Sequence, residues 1–253
     1  MSKLFNVISD YCADNRSEIF EKYMIERNWS AETIKKWKLG YFPTNDLLPL
    51  KVLARRHGIS EEDLAINGIA RKNKSVFSNR IVFPIQNVWG ETIAVTGRAL
   101  SSQVKPKYYN TVFEKGKNLF GLNFSIESAL RTKRIHVFEG NADVITAHQF
   151  GIDNSVCVMG TTFSEDHLIL LSRYIKEVVL MFDNDEGGKK ALVSFNKKKL
   201  DESRKEIKIY RSKVIGAKDA DEYLNKFGKD SLLELVDKSI ADEGMQKRLK
   251  SIG

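Results

Sequence analysis

From residue 134 onward the sequence alternates short apolar, β-branched runs with stretches of helical periodicity, and this alternation limits the fold more than any other feature. Ile135-His136-Val137-Phe138 reads as a strand, and a helix follows through Asp143 to Phe150. Ser155 to Met159 reads as the next strand, and Ser164 caps a helix carrying Leu168, Ile169 and Leu171. Val178 to Phe182 is apolar throughout, as in a strand buried on both faces. A basic helix from about Gly188 then precedes the strand Ile207 to Tyr210. Strand, helix and strand in this order predict an α/β fold with a mainly parallel sheet.

The upstream half has a different texture. Residues up to about 75 read as helical: Ile19, Phe20, Tyr23 and Met24 recur at helical spacing. Ser30 caps a segment from Ala31 to Leu39 that Gly40 ends, and another helix spans Leu48 to Arg56 and stops at Gly58. Ser60 with Glu61, Glu62 and Asp63 looks like a further helix start. Arg80 to Ile85 and Thr92 to Thr96 then form a hairpin around the turn at Asn87 to Gly90. Lys105 to Lys117 reads as a loop rich in Lys and Tyr. The expected division is a basic helical and mixed α/β part over 1–133, an α/β part over 134–230 and a short helical tail over 231–253.

Composition excludes several classes. No apolar run approaches the roughly 20 residues that span a bilayer, and no signal-peptide core forms before Asp10, so a cytoplasmic protein without a membrane partner is expected. Two cysteines, Cys12 and Cys157, cannot build a disulfide framework or a Cys-rich zinc site. Cys157 reads as a small buried hydrophobe, and the four histidines have no close metal-ligand spacing and read as structural. The net charge is +8, and Lys189 to Lys213 holds ten cations against three acids. That stretch is either a solvated helix face or a surface for phosphates.

Parallel sheets place ligands at the carboxyl ends of their strands. Three acidic clusters fall there. Glu139 follows the first strand of the alternating half, with Asp143 one helical turn on. Asp183 and Asp185 follow Val178 to Phe182, and Asp219 with Asp221 follows the strand ending at Tyr210. Six carboxylates on one edge would repel strongly without cations among them. Magnesium prefers such hard oxygen donors and brings phosphate as a further ligand, and metal-held phosphates suit phosphoryl transfer.

These residues resemble a known family. Glu139-Gly140-Asn141-Ala142-Asp143-Val144, Phe182-Asp183-Asn184-Asp185 with Gly188 and Ala191, and Asp219-Ala220-Asp221-Glu222 are similar to the three acidic motifs of the TOPRIM fold. DnaG-type primases, type IA and type II topoisomerases and some nucleases share that fold. Gly160-Thr161 resembles the primase segment between the first two motifs. Upstream, Arg80-Ile81-Val82-Phe83-Pro84-Ile85, Gly97-Arg98, Pro106-Lys107-Tyr108 with Asn110, and Lys115-Gly116 before Leu119-Phe120-Gly121 resemble the basic half of a bacterial primase core. The likeness covers roughly residues 15 to 225. Asn141 stands where the family has an aromatic, Asn184 where it has Gly, and Ala220 where it has Pro.

The resemblance implies metal binding by Glu139, Asp143, Asp183, Asp185, Asp219 and Asp221, with Glu139, Asp183 and Asp185 catalytic. It implies nucleic-acid or nucleotide contacts from Arg80, Arg98, Lys107, Tyr108, Asn110 and Lys115. The expected cofactor is magnesium, with manganese as a substitute. The expected activity is that of a primase, a DNA-directed RNA polymerase joining ribonucleoside triphosphates on single-stranded DNA and holding the RNA–DNA hybrid. A replicative helicase is a candidate partner. A TOPRIM nuclease using the same acids, and a non-catalytic nucleic-acid-binding subunit, are the rival readings. The cysteines of a zinc module and a Walker A sequence are absent from these residues. A compact primase, or a core taken from a longer protein, is therefore expected.

Overall fold

The computed structural model describes residues 2–43, 46–72, 74–160, 162–182, 206–243 and 247. The chain forms two compact units, residues 1–113 and 114–253. That break in compactness lies ahead of the functional boundary expected at residue 133.

The first unit opens with helices α1 (Ser2–Asp14), α2 (Glu18–Glu26) and α3 (Ala31–Lys36), then strand β1 (Gly40–Phe42). Ser17 and Ser30 cap α2 and α3 by accepting the N–H of Phe20 and Thr33. Each such cap contributes about 1 kcal/mol. The left-handed position that ends α3 belongs to Lys38 (φ 47°), and Leu39 N–H closes back onto Ile34 O at 3.0 Å. Gly40, expected as the helix stop, is instead the first residue of a strand. A Cβ there would stand 2.5 Å from the backbone of Cys12, so glycine lets α1 lie directly on β1.

Helices α4 (Leu48–Arg56) and α5 (Glu61–Ile66) follow, the second held by a reciprocal Ser60–Asp63 capping box. A small β2 (Ala70–Arg71) and β3 (Lys74–Ser75) pair leads into the long hairpin of β4 (Arg80–Gln86) and β5 (Thr92–Ala99). Strand β6 (Tyr108–Asn110) completes an antiparallel sheet of order β1-β4-β5-β6. Its core joins Phe5, Ile8 and Cys12 of α1 to Phe42, Phe77, Val82 and Val95. Each fully buried large side chain stabilises the unit by about 1.5–3 kcal/mol.

The second unit starts with a 3-10 turn (Lys115–Lys117) and α6 (Leu122–Thr132). Then come β7 (Arg134–Phe138), α7 (Asn141–Gln149), β8 (Ser155–Cys157), α8 (Glu165–Leu171) and β9 (Glu177–Met181). After β10 (Lys208–Arg211) come α9 (Ala220–Asp237), broken at Gly228 (φ 80°), and β11 (Ile240–Ala241). The sheet order is β11-β10-β9-β7-β8, parallel except for β11 at its edge. The expected parallel sheet is thus present. The basic helix expected from Gly188 lies outside the described residues. Among those described, no helix is long and apolar enough to cross a membrane.

Candidate active site

Strand β7 delivers Glu139 directly from its carboxyl end, where the side chain is half-buried. Phe138 pairs in register with Met181, the last residue of the parallel neighbour β9, so Phe182 leaves that strand level with Glu139. Asp183 and Asp185 come next in sequence and lie outside the described residues.

Asp143 is buried in the first turn of α7. Its Oδ2 accepts Gly140 N–H at 3.2 Å, and its Oδ1 accepts Asp221 N–H at 3.0 Å. The carboxylate therefore ties the start of α7 to the start of α9, and its charge is favourable at both helix N-termini. Asp221 is also buried, and its Oδ1 accepts the hydroxyl of Thr146, one turn along α7 from Asp143. Asp219 caps α9 by accepting Glu222 N–H at 3.0 Å, with Lys218 Nζ 3.8 Å from its other oxygen. Two of the three expected acidic pairs are thus joined by direct hydrogen bonding, while Glu139 stands at the adjacent strand end. Asn141 is buried at the first position of α7 and accepts the Cys157 thiol at 3.6 Å through Oδ1, while its Nδ2 has no hydrogen-bond partner among the described residues.

Lys115 sits on the 3-10 turn with Nζ 3.5 Å from Met159 O, and the protein packed around it lowers the pKa of its ammonium by desolvation. The turn is pinned by His167 of α8. Ser164 N–H donates to Nδ1 at 3.1 Å, which leaves Nε2–H to donate to Lys115 O at 2.8 Å and Asn118 O at 3.1 Å. These bonds require the neutral Nε2-H tautomer.

In the first unit the basic residues divide by sheet face, because opposed residues on neighbouring strands share a face. Tyr108 lies opposite Arg98 and Asn110 opposite Thr96, so Arg98, Tyr108 and Asn110 share one face at the β6 edge. The Arg98 guanidinium stacks over Tyr23 at 4.7 Å, and its Nε is buried without a hydrogen-bond partner among the described residues. Exposed Lys107 places Nζ 5.8 Å from the Tyr108 ring.

Arg80 lies on the opposite face and is 3% exposed. It donates to the carbonyls of Val76 (3.3 Å), Gly97 (3.1 Å), Pro106 (3.0 Å) and Lys107 (3.2 Å). Its guanidinium is thus turned to the backbone under the Lys107 segment. Gly97 makes room for this arrangement: a Cβ there would stand 2.6 Å from the Phe77 ring and 3.0 Å from the Arg80 stem.

Residues 9–126 match the family model of the DNA primase catalytic core, N-terminal domain, and residues 136–224 match the Toprim-like model. The chain belongs to the DnaG-type primase catalytic-core family. A DNA primase of Clostridium acetobutylicum is 36% identical over 230 residues, which is 87% of this chain and 37% of the relative. The chain therefore spans little more than a third of the length of such curated relatives. A solved DnaG catalytic core superposes with a TM-score of 0.80 at 25% identity, covering 95% of this chain and 80% of that one. A DnaG primase catalytic domain bound to ssDNA gives a TM-score of 0.77 at 24% identity, covering 94% and 79%.

Within this DnaG-type core the sequence reading missed the residues that hold the acids in place. Thr146 fixes Asp221, and Asn225 reaches back one turn to Asp221 O at 2.9 Å. The available signal was spacing: Thr146 is three residues beyond Asp143, and Asn225 is four beyond Asp221.

Proposed function

We propose that this chain is the part of a primase that synthesises short RNA primers on single-stranded DNA. The observation that carries the reading is the Asp143 carboxylate joining the starts of α7 and α9 beside the strand end that bears Glu139. The reaction is attack of a ribonucleotide 3′-hydroxyl on the α-phosphate of an incoming ribonucleoside triphosphate, with pyrophosphate leaving. No side chain acts as a covalent nucleophile.

The donor chemistry fits a divalent ion, magnesium or manganese, because every expected ligand is a carboxylate oxygen. Among the described residues no three His, Cys, Asp or Glu side chains are grouped to hold such an ion, and in this reading Asp183 and Asp185 belong to the ligand set. When bound, the ion would neutralise phosphate charge as the new bond forms. Glu139, Asp183 and Asp185 carry the catalytic role in this reading. Asp219 remains a candidate ligand through the oxygen beside Lys218. Asp143 and Asp221 already accept N–H and O–H donors, so their first role is to position the two helices.

Residues 134–230 then carry the chemistry and residues 1–133 guide nucleic acid. Arg98, Lys107, Tyr108 and Asn110 follow the template or the RNA–DNA hybrid along the β6 edge, and Lys115 meets nucleotide phosphates. A cation beside an aromatic ring suits phosphate contact with base stacking. The similarity in fold to a DnaG primase catalytic domain solved with ssDNA bound supports single-stranded DNA as the ligand. A cytoplasmic location and a helicase partner belong to the same reading.

The test is to incubate the chain with single-stranded DNA, ribonucleotides and magnesium. Short RNA supports the proposal. Cleaved DNA would point to a nuclease, and binding without either product to an accessory subunit.

A further inference from the structure

Strand β7 and helix α9 meet again at the ends away from the carboxylates. A cavity of about 380 Å³ lies there, bounded by the end of α6, the start of β7, the 151–154 loop and the second half of α9. That volume falls within the range of small-molecule sites. Ile152, Leu233 and Val236 give it an apolar wall.

His136 lines this cavity, is 3% exposed, and has no hydrogen-bond partner among the described residues on either ring nitrogen. Leaving a buried polar group unsatisfied costs about 1–3 kcal/mol, so such groups ordinarily have a partner. Burial lowers the pKa of His136 to about 4, which keeps the ring neutral near pH 7 with one N–H to donate and one lone pair to accept. The ring is therefore equipped for a polar ligand.

The charges around it are unevenly matched. Arg134 is committed to Glu177 at 2.8 Å and Asp237 at 3.4 Å, and Asp153 stands 3.3 Å from His148 Nδ1. Among the described residues Arg131 bonds only the Ser128 hydroxyl, at 3.3 Å, and Lys229 only the Gly151 carbonyl, at 2.8 Å. Two cations lining the cavity, one from α6 and one from α9, thus have neutral partners, while its carboxylates face cations or an imidazole. Excess positive charge, a neutral donor-acceptor ring and an apolar wall together favour an anion with an organic body.

We propose that this cavity is a second ligand site, distinct from the carboxylate edge, which takes a small phosphate-bearing molecule between Arg131, Lys229 and His136. It touches both elements that lead to the acids. His136 precedes Glu139 by three residues on one strand, about 10 Å at 3.3 Å per residue, and Lys229 shares α9 with Asp221. Occupancy would brace the second half of α9 beyond its break at Gly228 against the sheet.

The test is calorimetric titration of the full chain with inorganic pyrophosphate and, separately, with AMP. EDTA is present throughout, so that binding dependent on divalent ions is removed and the outcome does not depend on primase activity. Saturable binding of one molecule per chain is expected. Tighter binding of AMP would assign the apolar wall to the base, and equal or tighter binding of pyrophosphate would assign the site to the phosphate alone. Arg131→Ala and Lys229→Ala should each weaken binding about tenfold or more, the loss of one charge-assisted hydrogen bond. His136→Phe should abolish it, and Arg131→Ala, at an exposed position, covers the case in which that variant fails to fold. No saturable binding of either probe would overturn the proposal and leave the cavity to water. Binding weakened by Lys107→Ala but not by Arg131→Ala would also overturn it, by placing the anion on the basic strand.

Discussion

Asp143 and Asp221 stand 78 residues apart in sequence, yet the carboxylate of the first accepts the backbone N–H of the second at 3.0 Å. Through its other oxygen Asp143 holds Gly140, the residue next to Glu139. One side chain therefore fixes both the exit from β7 and the entry to α9. Asp143→Ala leaves two backbone N–H groups without this acceptor, and each lost bond of this kind costs about 1–3 kcal/mol. The expected result is a clear fall in thermal midpoint together with lost primer synthesis. Glu139→Gln should abolish synthesis with the midpoint nearly unchanged. An Asp143→Ala protein as stable as the parent would remove the bracing role.

Thr146 gives a finer test of the same brace. Thr146→Val preserves shape while deleting the hydroxyl that donates to Asp221. A buried carboxylate that loses a donor should destabilise the second unit by about 1–3 kcal/mol. Urea unfolding at neutral pH measures this. Synthesis at a temperature well below the transition should fall less than for Glu139→Gln, because the acids all remain. Equal losses from the two variants would show that Thr146 acts in the chemistry itself.

Arg80 and Lys107 offer a prediction in the first unit. Four carbonyl bonds commit the Arg80 guanidinium to the backbone, one of them at Lys107 itself. If Arg80 positions the strand, Arg80→Lys should weaken DNA binding only through Lys107. In a double-mutant cycle its effect should then largely vanish in a Lys107→Ala background. Lys107→Ala alone should flatten the dependence of affinity on salt by about one counterion. Additive losses, with a second flattening from Arg80→Lys, would show Arg80 touching phosphate directly.

The parts of this molecule that were legible in the sequence are those with local signals. Val178 to Phe182 reads as a buried strand, which β9 forms as far as Met181, and Ser30, Ser60 and Ser164 announced helix starts that their hydroxyls do cap. Strand β6 was hidden in the Lys105 to Lys117 segment because its three residues carry no alternation to detect and become a strand only by pairing with β5 across the 100–107 loop. Gly40 misled for a related reason, since the glycine serves the close approach of α1 and the helix stop fell to Lys38. At the site, the acids were visible as residues after strands. What could not be read was which of their oxygens already had partners, since the Asp143–Asp221 bond depends on two helices meeting in space.

Acid should act on the fold through two buried histidines. Burial lowers the pKa of His136 to about 4, and burial likewise lowers that of His167 despite its bonds to the Lys115 and Asn118 carbonyls. In the unfolded chain both titrate near 6.5. Below that value the unfolded state binds protons that the folded state refuses, so stability rises with pH across this range. The contribution is complete above about pH 6.5 and is lost as pH falls towards the folded-state values. For His136 the shift from 6.5 to about 4 corresponds to roughly 3 kcal/mol between neutral pH and pH 4. Urea unfolding at pH 7 and pH 5 should show a lower midpoint in acid, and His136→Phe, which cannot take up a proton, should reduce that difference. His167→Ala should reduce it too, and should also weaken nucleotide binding at neutral pH by releasing the turn that carries Lys115. A stability that is flat between pH 7 and pH 5 would mean that neither imidazole is held neutral by the folded chain.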